Sequence, residues 1–538
     1  MHALVLAAAL AALAPSASPG GPGLEVFGLS RGPGIPCSNS TRPQRVATAR
    51  VAGPWAPPAD TTGFVLFGWV SPPADSTTEA RVAEMAAIGL NLMLPAWLDE
   101  GCPDDNLARL DWAEAHGLRC LIWDSRLMGA VEWLPTFEDT LDQVVAEYRD
   151  HPAFWGYYLG DEPPESDWPM MTRLRAALRA RDPYRPGWNT LLGRVAFANR
   201  DDFEAHLRAY ADQFSPVVMS ADHYDFRTFG DYGLFVEHLA ALRQVADEHG
   251  IPFWNILQLI PHANIRPLRP GELRWQISQS LAYGARGIGY FTYWTPDPDP
   301  VANWQPAIID HDGRRTGWYD FLLGFNPGVR TAGDVLARAR RVRTTHAGSV
   351  PSGGVPFTGS SWLSRVEGRA AIGEFEGGAG ERLVLVANAD SIASASLALE
   401  TRDAPGARLL ASGSSPDALT SAPQSRGARL SLTLAAGDFA LLALDPALER
   451  ASIDAAPNPG HGSVRLSYRA PEGPARLTIT DLSGREVWRT FVDPPIGAIE
   501  WRGERLDGRI ARPGVYFARL STDRGGAGAR RFVWLGAR

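Results

Sequence analysis

The sequence has little cysteine, no concentrated positive charge and, past its first residues, no long apolar run. Its three cysteines, Cys37, Cys102 and Cys120, show no metal-ligand spacing; they allow one disulfide and leave one thiol over, so no structural zinc site is expected. The formal net charge is −8 and basic residues form no block, which argues against a nucleic-acid partner. Beyond residue 18 nothing approaches the roughly 18 consecutive apolar residues of a membrane span. Residues 1–18, MHALVLAAALAALAPSAS, are themselves apolar and end in small residues, as a signal peptide does, although no Lys or Arg precedes the apolar part. Export is therefore expected, with cleavage near Ser16 or Ala17 and a mature chain that is secreted or held at the cell surface.

Two motif classes are also missing. The stretch after the first strand-like run, FGWVSPPADS, is not the Gly-rich phosphate loop of a doubly wound sheet. No His-x-His stands there either, as a metal-dependent barrel would require. Pro296–Pro300 offers acids and prolines where a phosphate site would need Gly-rich turns at a helix start. No cofactor and no metal are expected.

What the chain does have is length, a 45% hydrophobic content and 18 tryptophans. Its 538 residues suffice for three or four domains. Residues 19–60, rich in Gly, Pro, Ser and Arg, read as a linker or strap. From 61 to 347 strand-like and helix-like runs alternate. The strands are Phe64–Val70, Leu90–Pro95, Arg119–Asp124, Phe154–Leu159, Gly187–Thr190, Val217–Tyr224, Pro252–Leu259 and Gly287–Trp294. A helix pattern follows each, the last over Trp318–Arg343. Eight such repeats predict an α/β fold, a (β/α)8 TIM barrel. Short alternating runs over 348–448 predict a small antiparallel β domain, Ala451–Pro459 a linker, and 456–538 a second all-β sandwich of about seven strands.

In a barrel of parallel strands the C-terminal strand ends converge on one pocket. Those ends carry Trp69, Trp97, Asp124, Asp161 with Glu162, Asn189, Asp222 with His223 and Tyr224, Gln258, and Tyr293 with Trp294. The fourth is the most pointed: an apolar run, FWGYYL, stops at Gly160 and delivers two acids before Pro163. Adjacent strand residues face opposite ways, so one of the two is expected to face the pocket. Helix capping is the other reading of either acid. Carboxylates and aromatics without metal ligands suit glycosidic-bond cleavage, in which one acid protonates the leaving oxygen and a second group stabilises the oxocarbenium-like centre. Glu162 is the expected general acid, with Asp161 and Asp222 beside it. Trp69, Asp124, Asn189, His223, Tyr224, Gln258, Tyr293 and Trp294 are the candidate sugar contacts, with Trp254 a further stacking surface. For Asn189, Asp222, Gln258 and His223 a purely structural role is the alternative.

WGYYLGDEP at the fourth strand, SADHY at the sixth and ELRWQISQSLAYGARGIGYFTYW at the eighth resemble the barrels of the large retaining-glycosidase clan, especially relatives of the β-galactosidases, over Gly63 to Arg343. The resemblance implies Asn-Glu after the fourth strand, with the Glu as acid/base, and a nucleophilic Glu after the seventh. Glu162 matches; Asp161 stands in place of Asn, and Gln258 in place of the nucleophile. An amide cannot form a glycosyl ester. Three expectations follow. Asp222 supplies the second carboxylate; or Asp161 orients a substrate 2-acetamido group, as in the β-hexosaminidases that also carry Asp-Glu; or the barrel only binds glycan. The C-terminal region, from Ala456 to Arg538, with LTITDLSGREV and GVYFARL, resembles the Ig-like domains of flagellar hook-capping proteins and type IX secretion sorting tails. That implies export machinery or surface attachment as a partner.

Overall fold

The computed structural model describes residues 63–95, 101–127, 137–378, 380–414, 417–424, 427–445, 452–470, 474–493, 496–522 and 527–536. The expected signal peptide and strap, Cys37 and Trp97 lie outside them. Eight strands form one parallel sheet: β1 (Val65–Trp69), β2 (Leu92–Met93), β3 (Arg119–Ile122), β4 (Phe154–Asp161), β5 (Gly187–Thr190), β6 (Met219–His223), β7 (Phe253–Gln258) and β8 (Gly287–Phe291). Their order is β5-β4-β3-β2-β1-β8-β7-β6. Beyond β5, the Leu191 N–H donates to Ser220 O and the Asp222 N–H to Leu191 O, which closes the sheet on β6. The barrel is thus complete, as the alternation predicted.

The helices are α1 (Glu79–Ala87), α2 (Pro103–Ala115), α3 (Phe137–Tyr148), α4 (Trp168–Arg181), α5 (Arg200–Phe214), α6 (Phe235–His249), α7 (Pro270–Ala282) and α8 (Gly317–Ala337). Local chemistry sets their ends. Thr78 and Asn199 cap α1 and α5 with side-chain oxygens, Pro103 opens α2, and Gly250 closes α6 at φ +67. Glu272 is a helix-start acid, its Oε2 accepting from the Arg269 N–H at 2.7 Å.

Aromatic rings fill the barrel. Phe67, Trp155 and Trp188 all pack on Trp254, with centroids 5.6, 5.3 and 6.1 Å away. Glycines in β8 make the room: a Cβ on Gly287 would stand 2.6 Å from the Trp254 ring, and one on Gly289 2.5 Å from Phe67. Trp254 is therefore core, not a sugar platform.

The last helix ends at Ala337, short of the expected Arg343. Arg340–Ala347 is instead the edge strand of a five-stranded antiparallel sheet with Ala370–Glu376, Arg382–Asn388, Phe439–Leu444 and Ala407–Ser412. A four-stranded sheet (Leu363–Glu367, Ala395–Thr401, Ala428–Leu434 and Asp417–Pro423) faces it across a core of Leu, Val and Ala. Leu383, Leu385, Phe439 and Leu441 belong to the barrel's own hydrophobic core, so the five-stranded sheet packs directly on α7 and α8. A seven-stranded β region follows, with a separate core around Trp501, Tyr516, Phe532 and Trp534. Its first strand, Ser452–His461, covers the stretch expected as linker; Ile453 and Ala455 alternate into the core and outweigh the two prolines. Cys102 is disulfide-bonded and Cys120 is a buried free thiol. No helix among the described residues is long and apolar enough to cross a membrane.

Candidate active site

β4 departs from a regular ladder twice. Its register slips against β3 between the Phe154 and Gly156 pairs, and against β5 between the Tyr158 and Asp161 pairs. Each slip is a β-bulge, which re-aims the residues after it. The second is built on Gly160 at φ +119 and leaves Glu162 at φ +40, a left-handed conformation that a non-glycine residue adopts at a cost of order 1–3 kcal/mol. Through these bulges Trp155 and Tyr158 both reach the aromatic interior, and Asp161 and Glu162 both reach the charge of Asp222 at the end of β6. Simple strand alternation, which sends one of two neighbours away, does not hold here.

Asp222 stands next to both Glu162 and the Tyr224 hydroxyl, close enough for each to act on its carboxyl. All three carboxyls are walled by protein yet keep some contact with solvent. Burial pushes Glu162 well above the usual carboxylate range, and the Asp222 and Asp161 charges push it further. Burial, then the Asp222 charge, raises Asp161 in the same way. Asp222 is also raised by burial, but Tyr224 and Glu162 beside it work against that. Glu162, raised by burial and by both neighbouring charges, is therefore the carboxyl of the cluster most favoured to hold a proton, whereas Tyr224 and Glu162 favour the charged form of Asp222. A protonated carboxyl at neutral pH is what a general acid must be.

The bulge is braced from behind. Asn189 Nδ2 donates to Gly160 O at 2.9 Å, while Asn189 Oδ1 accepts from Arg175 Nη2 at 2.6 Å. Arg175 also donates to the Tyr210 hydroxyl at 2.7 Å. Asn189, expected to contact sugar, instead fixes the backbone that aims the two acids.

Aromatic residues line the floor beneath them. Tyr158 feels the charge of both Asp161 and Glu162, and packs on Trp69, Trp123 and Trp188 with centroids 5.7–6.0 Å away. Trp188 Nε1 and Thr190 Oγ1, alternate residues of β5, are buried with no partner in the protein. Tyr224 packs tilted against Phe291 at 5.0 Å and meets His262 edge-on, and His262 packs on Trp304 at 4.6 Å. Sequence reasoning named Trp69 and Tyr224 and missed Tyr158, Trp123, Trp188, Thr190, His262 and Trp304. The spacing of three through Trp155, Tyr158 and Asp161 was the available signal for Tyr158.

The remaining expected contacts are engaged elsewhere. Asp124, fully buried, accepts from Arg126 at 2.6–3.0 Å and from the Tyr148 hydroxyl at 2.8 Å, a structural ion pair under α3. His223 follows Asp222 on the opposite strand face; it stacks on His238 and bonds Asp225 at 3.2 Å. Asp225 in turn holds the Gly233 and Leu234 N–H groups ahead of α6. Tyr293 is fully buried against Gly68, where charges on α1 act on it, and Trp294 packs under Arg81. Gln258 is fully buried and saturated: its Oε1 accepts from the Phe226 N–H at 2.9 Å, and its Nε2 donates to Phe226 O at 3.0 Å and Arg266 O at 3.3 Å. Gln258, where the resemblance led a nucleophile to be expected, is thus a backbone clamp that requires an amide. Among the described residues no group of three or more His, Cys, Asp or Glu is arranged to hold a metal ion.

No protein-family model and no curated protein matches the sequence. Solved structures that match in shape include glycoside hydrolases with (β/α)8 barrels. An α-amylase from H. orenii aligns with a TM-score of 0.43 and 9% identity, over 71% of this chain and 100% of its own. A β-galactosidase from the psychrophilic Marinomonas ef1 gives 0.39 and 12%, over 51% and 62%. Xylanase 10B from Thermotoga maritima gives 0.37 and 12%, over 50% and 97%.

Proposed function

We propose that this chain is an exported or surface-held glycoside hydrolase in which Glu162 is the general acid. The observation that carries the reading is the pairing of Glu162 with Asp222 at the C-terminal mouth of the barrel, where burial and neighbouring charge raise the Glu162 carboxyl well above its usual range, over a floor of tyrosine and tryptophan. Substrate enters with its glycosidic oxygen as the acceptor of the Glu162 proton. As the C–O bond breaks, the proton moves to the leaving oxygen and positive charge grows on the sugar ring. Asp222, a carboxylate throughout and flanked by Tyr224, faces that charge. Water then adds to the anomeric carbon and returns a proton to Glu162. The half-buried rings of Tyr158 and Trp123 offer apolar sugar faces a surface, with Trp69 packed on Tyr158.

A second route is favoured by one feature, the bulge that brings Asp161 beside Glu162. Glu162 and Asp222 lie side by side in the resting site, whereas a two-carboxylate mechanism needs a gap of about 5–5.5 Å for retention or about 6.5–9.5 Å for inversion. A substrate 2-acetamido group oriented by Asp161 needs no such spacing. The competing class, a glycan binder without catalysis, draws support from Gln258.

The test is hydrolysis of a panel of aryl glycosides, N-acetylglucosaminides included, by the wild type and Glu162→Gln. Loss of about 10² or more in the variant supports general-acid catalysis. Activity confined to 2-acetamido sugars selects the Asp161 route. Glycan binding with no turnover by either protein selects the binder and rejects the hydrolase.

A further inference from the structure

A second cleft lies outside the barrel, between the C-terminal half of the barrel and the first β domain. It holds about 220 Å³ and is lined on the barrel side by Phe226, Val236, Trp275 and Gln279 and on the other by loops that include Ser349 and Ser391. Its most telling group is Gln279. The side chain is 1% exposed, it lines the cleft, and neither its amide oxygen nor its amide nitrogen has a partner within the protein. Leaving one buried polar group unpaired costs about 1–3 kcal/mol, and here both a donor and an acceptor are unmet.

Three further features define what would satisfy it. Trp275, braced edge-on by Phe226 and tilted against Phe235 at 5.0 Å, presents an indole beside the amide. The lining carries no unmatched charge: Arg369 is paired with Asp390 at 3.1 Å. His346 is held neutral by burial, which lowers it to about 4, and it bonds the Tyr283 hydroxyl at 3.0 Å. The volume, about 220 Å³, is that of one six-membered sugar ring rather than of a larger ligand held whole. Neighbouring hydroxyls on such a ring supply an acceptor and a donor side by side, which is the complement of a carboxamide. An apolar ligand would leave Gln279 unpaired, and an ionic one would meet no counter-charge.

We infer that this cleft is a second saccharide site, which takes one neutral sugar ring between Trp275 and Gln279, apart from the carboxylates. It does not rest on catalysis by Glu162. It is nonetheless tied to the barrel mouth. Phe226, one of its walls, stands four residues after Asp222, and its backbone N–H and C=O are both clamped by Gln258.

The experiment uses the full chain. Crystals are soaked with methyl glycosides of glucose, galactose and N-acetylglucosamine, and the same sugars are titrated by calorimetry into the wild type, Gln279→Leu and Ser391→Trp. Leucine replaces the unpaired amide with an apolar group of similar size, and the tryptophan fills the cleft from its partly exposed rim; thermal melting confirms that both fold. The expected result is a sugar ring against Trp275 and a loss of at least tenfold in affinity in both variants, with aryl glycoside hydrolysis unchanged. Sugar seen solely at the barrel mouth, or binding that both variants retain, overturns the inference. A chain that hydrolyses nothing yet binds sugar here would reject the hydrolase and leave this site standing. An active chain with an empty cleft would do the reverse.

Discussion

Gln258→Glu puts a carboxyl where the retaining-glycosidase clan keeps its nucleophile, and the structure says that the result is damage, not activity. The Phe226 N–H keeps its acceptor. Phe226 O and Arg266 O lose the amide N–H that served both. A protonated carboxyl can still donate to one of them, so at acid pH the cost is one unmet buried carbonyl, roughly 1–3 kcal/mol. Ionisation is worse, because a fully buried carboxylate would then face two carbonyl oxygens. The folded-state pKa of the new group is therefore raised. Stability is highest below the unfolded glutamate value of about 4.3 and falls as pH rises, by up to about 1.4 kcal/mol per unit until the folded pKa is passed. Thermal melts of the variant and wild type at pH 4.5 and pH 8 read this out; each kcal/mol moves a midpoint by about 2–4 °C. The variant should melt slightly low at pH 4.5, much lower at pH 8, and hydrolyse no glycoside faster than wild type. Equal midpoints at pH 8, or a gain in turnover, would refute the clamp.

Other perturbations separate the aiming of the site from its chemistry. Asn189→Asp keeps an acceptor for Arg175 but turns the donor to Gly160 O into an oxygen; kcat should fall about 10²-fold with the alkaline limb of the pH profile, the one Glu162 governs, displaced, against a small change in melting. Asp161→Asn removes a carboxyl whose folded pKa is raised. Such a group costs stability as pH rises past the unfolded value of about 3.9, so the variant should melt about 2–4 °C above wild type at pH 7 and level with it below pH 4. Asp124→Ala leaves Arg126 with Glu147 alone and the Tyr148 hydroxyl with Asn106 alone, and denaturant unfolding should show a loss of about 1–3 kcal/mol. Cys120, its thiol pushed by burial up to about 12, should resist alkylation in the native protein and react once it is unfolded.

Much of the fold was legible because its signals are local. Fully apolar strands such as FWNILQ and GIGYF, set off by Gly and Pro, repeat at barrel spacing. Arg340–Ala347 was not legible: RRVRTTHA shows four exposed or half-buried residues before a buried run, and only pairing with Ala370–Glu376 makes it a strand. The carboxyl cluster was half visible. Glu162 and Asp222 stand out at strand ends, but the register slip that turns Asp161 inward depends on where β5 pairs, which no local pattern encodes. Asp124 looks like Asp222 in sequence, since each ends a strand. An arginine two residues on claims the first, whereas Tyr224 and Glu162 claim the second. Gln258 reads as a lost nucleophile until its three backbone bonds are seen.

If Glu162 gives its proton to the departing oxygen, the rate lost without it must depend on the leaving group. Wild type and Glu162→Gln are compared on one accepted sugar carrying either 2,4-dinitrophenolate, which departs without protonation, or a simple alkoxide, which cannot. The account predicts a loss of about 10²–10⁴ on the alkyl glycoside and little loss on the dinitrophenyl one. Equal losses on both, or full activity of the variant on the alkyl glycoside, would contradict it.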